Sequence, residues 1–211
     1  MGLFDSAKVK KGKIINGLLN SEENHDMVSS LTTLQNEISV SFNTKVIAIT
    51  SIDDDELAAA FAKAFASAFS NNGSSSLIID GNLYNPCLEK TINKSNNEES
   101  DVYVKDDKES DLTYIDKRTE ALCLSKVIYP SEMYKSGAIQ KIIKENEGKF
   151  EHFIVLTPSV KDHKEIVLLN DVLESVILVT QKNVTIKEHI FNAIAFFSEN
   201  KLPLAKTVIL K

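Results

Sequence analysis

The densest group of chemistry-bearing side chains in the sequence is Asp53-Asp54-Asp55-Glu56, four carboxylates in a row, preceded by the hydroxyls of Thr50 and Ser51. Such a run supports two kinds of chemistry. Carboxylates in the first turn of a helix accept hydrogen bonds from its free N–H groups and interact well with the positive end of its dipole. Alternatively, Asp53, Asp54 and Asp55 together with Asp80 supply the oxygen ligands that Mg²⁺ or Ca²⁺ favour, although no spacing here is diagnostic of a cation loop. His25, His152, His163 and His189 have neither ligand pairing nor an adjacent nucleophile, so they read as surface or structural residues. Cys87 and Cys123 stand in no metal or redox spacing and read as small buried hydrophobes.

The elements that must position these acids are legible from apolar periodicity. Lys45 to Thr50, with VIAIT at its core, is a short β-branched run and predicts a buried strand. It leads through the acids into a helix over 55–70, where Leu57, Phe61, Phe65 and Phe69 recur every fourth residue. Asn71-Asn72-Gly73 supplies the stop. Leu77 to Asp80 predicts a second strand and puts Asp80 at its end, where it either carries chemistry or fixes neighbouring backbone. Further strands are expected at 121–124, 153–156, 176–179 and 207–210, with helices at 27–42, 133–147 and 185–198. Residues 91–111, rich in Asn, Ser, Asp, Glu and Lys, read as an exposed loop. The chain thus divides into a basic arm and linker, 1–26, and a single α/β domain, 27–211. Strands alternating with helices predict a three-layer α/β/α fold around a mainly parallel sheet. In such sheets ligands bind beyond the carboxyl ends of the strands, which is where residues 50–59 and Asp80 fall.

Composition narrows the function classes. A chain of 211 residues that is 43% hydrophobic buries a real core, and a net charge of −6 argues against general nucleic-acid binding. No apolar run reaches the roughly 18 residues of a membrane-spanning helix, and no secretory signal opens the chain, so a cytoplasmic location is expected. The charge is uneven: residues 1–20 carry a net +3 from Lys8, Lys10, Lys11, Lys13 and Asp5. With Leu3, Phe4, Ile14, Ile15 and Leu18 among them, residues 1–19 suit a peripheral membrane contact at the inner face of an anionic membrane, or a protein-docking arm. Lys11 falls near the middle of the apolar arc, and Gly12 and Gly17 weaken the helix.

The turn at 50–59 resembles, without a gap, the stretch close to VTSPLPGEGKST of the bacterial tyrosine kinases of capsule and exopolysaccharide synthesis and of the related partition ATPases. Thr50, Ser51 and Glu56 match. The two glycines fall on Asp55 and Leu57, the phosphate-binding lysine on Ala58 and the magnesium-binding hydroxyl on Ala59. The family's LLIDADLRRP is similar to LIIDGNLYNP at 77–86: Asp80 and Pro86 match, the second acid becomes Asn82, and the arginines become Tyr84 and Asn85. A stretch like PSELLSS, followed by YDYVIIDTPP, resembles 130–132 through 150–158, with the metal-associated aspartate replaced by Leu156. A helix like EAYRTLRTNI places its charged oligomerisation residues on Ser29, Thr32 and Gln35, and no tyrosine follows Tyr134 to match the family's tyrosine-rich tail.

The resemblance implies a P-loop NTPase-like fold whose nucleotide site has degenerated. A phosphate loop works because glycines let backbone N–H groups close around phosphates while a lysine neutralises charge. Here Ala58 brings no charge, and each like-charge pair at roughly 5 Å costs about 3 kcal/mol at an effective dielectric of 20. The expectation is a catalytically inactive pseudo-ATPase with no ATP or Mg²⁺ cofactor and no ring assembly. Its expected partner is a protein: the cytoplasmic end of a membrane polysaccharide co-polymerase that activates such kinases, or an active kinase. Two alternatives stand beside it, an active or weakly active ATP-dependent tyrosine kinase and a partition-ATPase-like scaffold positioned at the membrane through residues 1–19.

Overall fold

The computed structural model describes residues 3–20, 25–42, 44–95 and 112–211. Its centre is a seven-stranded sheet. In chain order the strands are β1 (Val46–Ser51), β2 (Ser76–Asp80), β3 (Leu112–Tyr114), β4 (Thr119–Leu122), β5 (His152–Leu156), β6 (Ser175–Gln181) and β7 (Leu204–Leu210). Their spatial order is β3-β4-β2-β5-β1-β6-β7, and every neighbouring pair is parallel except β3–β4. The buried strands alternate faces: Ile47 and Ile49 of β1 enter one hydrophobic layer, Val46 and Ala48 the other.

The first layer is formed by α1 (Leu3–Leu19), α2 (His25–Phe42), α3 (Asp55–Asn71) and α4 (Leu88–Ser95). The second holds α5 (Pro130–Lys135), α6 (Ala138–Glu145), a 3-10 helix (Glu165–Leu169) and α7 (Lys187–Glu199). The central helix α3 is covered nearly all round, with Ala58, Ala60, Phe61, Ala62, Phe65, Ala66 and Phe69 buried. Alanines let it lie close to the sheet, and along its length Phe61 stacks on Phe65, which meets Phe69 edge to face. Gly73, at φ +89, supplies the left-handed turn beyond its end.

Several expectations are corrected. The helix expected over 133–147 is two helices, α5 and α6, because Gly137 at φ +74 breaks the run between them. Residues 91–95, expected as loop, complete α4, and the rest of that loop, 96–111, lies outside the described residues. The antiparallel edge strand β3 had no counterpart in the sequence reading. Residues 1–26 do not stand off as an arm throughout. Helix α1 packs against α3, with Ile15, Leu18 and Leu19 buried in the same layer as Phe61 and Phe65. Ile15 and Leu18 were expected as membrane contacts and are interior residues here, and Ile14 is partly buried against the same cluster. Lys13 is exposed, and the side chains of Leu3, Phe4, Lys8 and Lys10 lie outside the described residues.

On α2, Ser29 is exposed, Thr32 half-buried and Gln35 buried. Gln35 accepts a hydrogen bond from the Asn72 side chain at the end of α3. That position therefore faces the chain's own interior.

Candidate functional site

The carboxyl ends of β1, β2 and β5 converge on the turn 50–59, so the structure assembles Thr50, Ser51, Asp55, Glu56, Leu57, Ala58, Ala59, Asp80, Asn82 and Leu156 in one region. Gly81 shows how tightly it is built. A Cβ there would lie 2.6 Å from the backbone oxygen of Leu156, so only glycine allows β2 to end this close to β5.

The turn after β1 is closed by its own polar groups. Thr50 Oγ1 donates to the Pro158 carbonyl at 2.9 Å, and Ser51 Oγ accepts from the Asp54 N–H at 3.0 Å. Asp54 is the N-cap of α3, its Oδ1 accepting from the Leu57 N–H at 3.0 Å. Asp55 Oδ1 accepts from the Ser159 N–H at 3.0 Å across the cleft, and its Oδ2 takes the Asn85 amide at 3.5 Å. Leu57, Ala58 and Ala59 point inward and are each 1% exposed. The helix N-terminus, a natural anion site, is thus capped by a carboxylate of the chain itself, Asp54.

Charge balance comes from an unexpected direction. Lys11 of α1 places Nζ 2.9 Å from Asp54 Oδ1 and 3.4 Å from Glu56 Oε2, and Lys90 of α4 reaches Glu56 Oε1 at 3.1 Å. Burial works against the charge of Lys11, but its hydrogen bond to Asp54 and the nearby Asp54 and Glu56 charges outweigh it, and its pKa is raised. Lys11 was expected on a membrane or docking face, and its pairing with the acidic run was missed. The signal was available: a +3 head and a run of four acids in one short chain are complementary.

Asp80 sits deeper, 1% exposed. Its Oδ1 accepts from the Asn82 N–H at 3.1 Å, and its Oδ2 accepts from the N–H groups of Cys87 at 3.0 Å and Leu88 at 2.9 Å, where α4 begins. Burial pushes its pKa up to about 6, against the pull of those three hydrogen bonds. Asn82, in place of a second acid, accepts from the Asn85 N–H at 3.1 Å and shapes the turn into α4. Leu156, on which the resemblance placed a metal-associated aspartate, is 3% exposed. Asp54, Asp55 and Asp80 are thus committed to separate partners, and among the described residues no three His, Cys, Asp or Glu converge as a metal site would require. Burial pushes the thiols of Cys87 and Cys123 up to about 12; Cys87 is buried as expected, whereas Cys123 is half-buried.

No family sequence model matches the chain, and no curated protein sequence does. Solved structures do. The chimerical protein CapA2B2 superposes with a TM-score of 0.74 at 18% identity, over 92% of this chain and 90% of that one. The kinase domain of the Escherichia coli tyrosine kinase Etk gives 0.72 at 12% identity, over 87% and 75%. A ParA family ATPase from Chlorobium tepidum gives 0.55 at 13% identity, over 79% and 72%. The chain therefore has the α/β fold shared by bacterial tyrosine kinase domains and ParA-type P-loop ATPases. Among the described residues, no helix is long and apolar enough to cross a membrane.

Proposed function

We propose that this protein is a non-catalytic, tyrosine-kinase-like pseudo-ATPase that acts as a regulatory or scaffolding partner in capsular or exopolysaccharide synthesis. One observation carries the reading: the N-terminus of α3 is already capped by Asp54, which accepts from the Leu57 N–H, and the neighbouring Asp55 is bound to the Ser159 N–H across the turn. A triphosphate approaching this turn meets Asp54, Asp55 and Glu56, with Ala58 where a phosphate loop presents its lysine, and the ammoniums of Lys11 and Lys90 are already paired with Asp54 and Glu56. Ala58 and Ala59 offer neither an ammonium nor a hydroxyl for Mg²⁺, so ATP and Mg²⁺ are not its cofactors. The partner is a protein, either the cytoplasmic end of a membrane polysaccharide co-polymerase or an active kinase, with no role for nucleic acid. The protein works in the cytoplasm at the inner face of the membrane. Any lipid contact by residues 1–19 must leave Ile15 and Leu18 in place or first expose them.

Calorimetry with ATP and ADP in the presence of Mg²⁺ tests the reading, and no binding is expected up to ~1 mM, an affinity equivalent to about −4 kcal/mol. Labelled ATP followed by mass spectrometry should leave every tyrosine unmodified. A micromolar dissociation constant, or stoichiometric phosphotyrosine that disappears in Asp80→Asn, would return the chain to the active kinases.

A further inference from the structure

On the opposite side of the sheet from α1, the same end of the fold carries a cavity of about 230 Å³. It is lined by Ile52 of the turn after β1, by Val160, Lys161 and Lys164, and by His189, Asn192 and Ala193 of α7. Its wall is fixed by backbone hydrogen bonds: the Val160 N–H donates to Ser51 O at 3.0 Å and the Lys161 N–H to Ile52 O at 3.1 Å. Lys164 is held over the Phe196 ring, its Nζ 4.4 Å from the centroid, and donates to the Val160 carbonyl. His189 Nδ1 is buried and has no hydrogen-bond partner. A buried polar atom without a partner is costly, and here it belongs to a residue that lines the cavity. None of these residues takes part in closing the turn around Asp54 and Asp55 except through the backbone of Ile52 and Ser51.

The polar lining is rich in donors: two ammoniums, an imidazole and an amide. Asp53 lies close enough to Lys161 and His189 to interact with both, and Asp162 is a further nearby acid. Lys161 and Lys164 are offset by Asp53 and Asp162, so the lining is close to charge balance and an anion there would be held by hydrogen bonds from the two ammoniums and the imidazole. Ile52, Val160 and Ala193 give the remaining wall an apolar character. The cavity opens to solvent and has room for a compact molecule.

We propose that this cavity binds a small organic acid, its carboxylate held by Lys161, Lys164 and His189 and its apolar body laid against Ile52, Val160 and Ala193. Benzoate is the probe, benzamide its neutral counterpart and inorganic phosphate the purely polar anion. Each is titrated into the full chain while backbone amide shifts are followed by NMR. Benzoate should move the amides of 160–164 and 189–193, benzamide should leave them still, and phosphate should bind more weakly than benzoate. Lys161→Met with Lys164→Met should weaken benzoate by about tenfold or more, the scale of lost charge-assisted hydrogen bonds. Asp53→Asn should tighten it, and this opposite sign separates a charge-selective site from a merely damaged one. Well-dispersed spectra of both variants establish that they are folded. The proposal is overturned if benzoate moves no amides there, if benzamide or phosphate binds as well, or if the lysine variant binds benzoate unchanged.

Discussion

The turns after β1 and β2 solve the same local problem at different depths. Each leads into a helix whose first N–H groups meet an aspartate: Asp54 for α3 and Asp80 for α4. Asp54 keeps 17% of its side chain exposed and shares its charge with Lys11. Asp80 is 1% exposed and is met by three backbone N–H groups. The first is an electrostatic joint at the surface, where water and a lysine both stabilise the carboxylate. The second is an internal clamp, where ionisation itself is opposed by burial. In both the carboxylate holds backbone.

The sharpest way to break this comparison is to remove the deeper acid. Asp80→Ala leaves the N–H groups of Asn82, Cys87 and Leu88 without their acceptor, and orphaned buried donors cost about 1–3 kcal/mol each. Denaturant unfolding at pH 5 should show a loss of about 3 kcal/mol or more. Next in size is a pH effect confined to the clamp. The folded pKa of Asp80, about 6, lies above the ordinary value of 3.8, so its contribution to stability is fully present below about pH 4 and is lost as pH rises through 6. The shift of about two units corresponds to about 3 kcal/mol between pH 4 and 7, and Asp80→Asn should flatten that part of the stability profile. Asp54→Ala should cost about 1 kcal/mol, the usual worth of an N-cap. Lys11→Met should cost less still, under about 1 kcal/mol, with the difference from wild type shrinking at high salt. A larger loss for Lys11→Met than for Asp80→Ala would invert the comparison.

The small effect expected for Lys11 follows from how α1 is held. Burying Ile15, Leu18 and Leu19 is worth about 1.5–3 kcal/mol for each side chain, which outweighs a partly exposed ion pair. Lys11 therefore sets where α1 points more than whether it docks.

Much of this was legible in the sequence, for reasons that differ by element. β1, β2, β5 and β6 are apolar β-branched runs because they are buried on both faces, and such runs announce themselves. The helix α3 was legible from its phenylalanine spacing, and its acidic first turn from the preference of carboxylates for helix N-termini. The break at Gly137 was not, since the apolar spacing of Ile139, Ile142 and Ile143 continues a helical pattern whether or not a turn precedes it. The edge strand β3 is three residues long and carries little periodicity. In the site, the positions of Asp80 and of the alanines at 58–59 followed from pattern alone. The role of Lys11 did not, because an apolar arc interrupted by lysine looks defective until its partners, 43 and 45 residues further on, are in view.

The docking of α1 against α3 also fixes an order of events during synthesis. Helix α1 leaves the ribosome before α3, which ends at Asn71, 52 residues after Leu19. At about 5–20 residues per second, several seconds pass before α3 exists. Through that interval Ile15, Leu18 and Leu19 lack the α3 surface they pack against, so α1 is made well before it can be secured. A nascent chain stalled before Phe61 would present that apolar face to chaperones, and one stalled well beyond Asn71 would have withdrawn it.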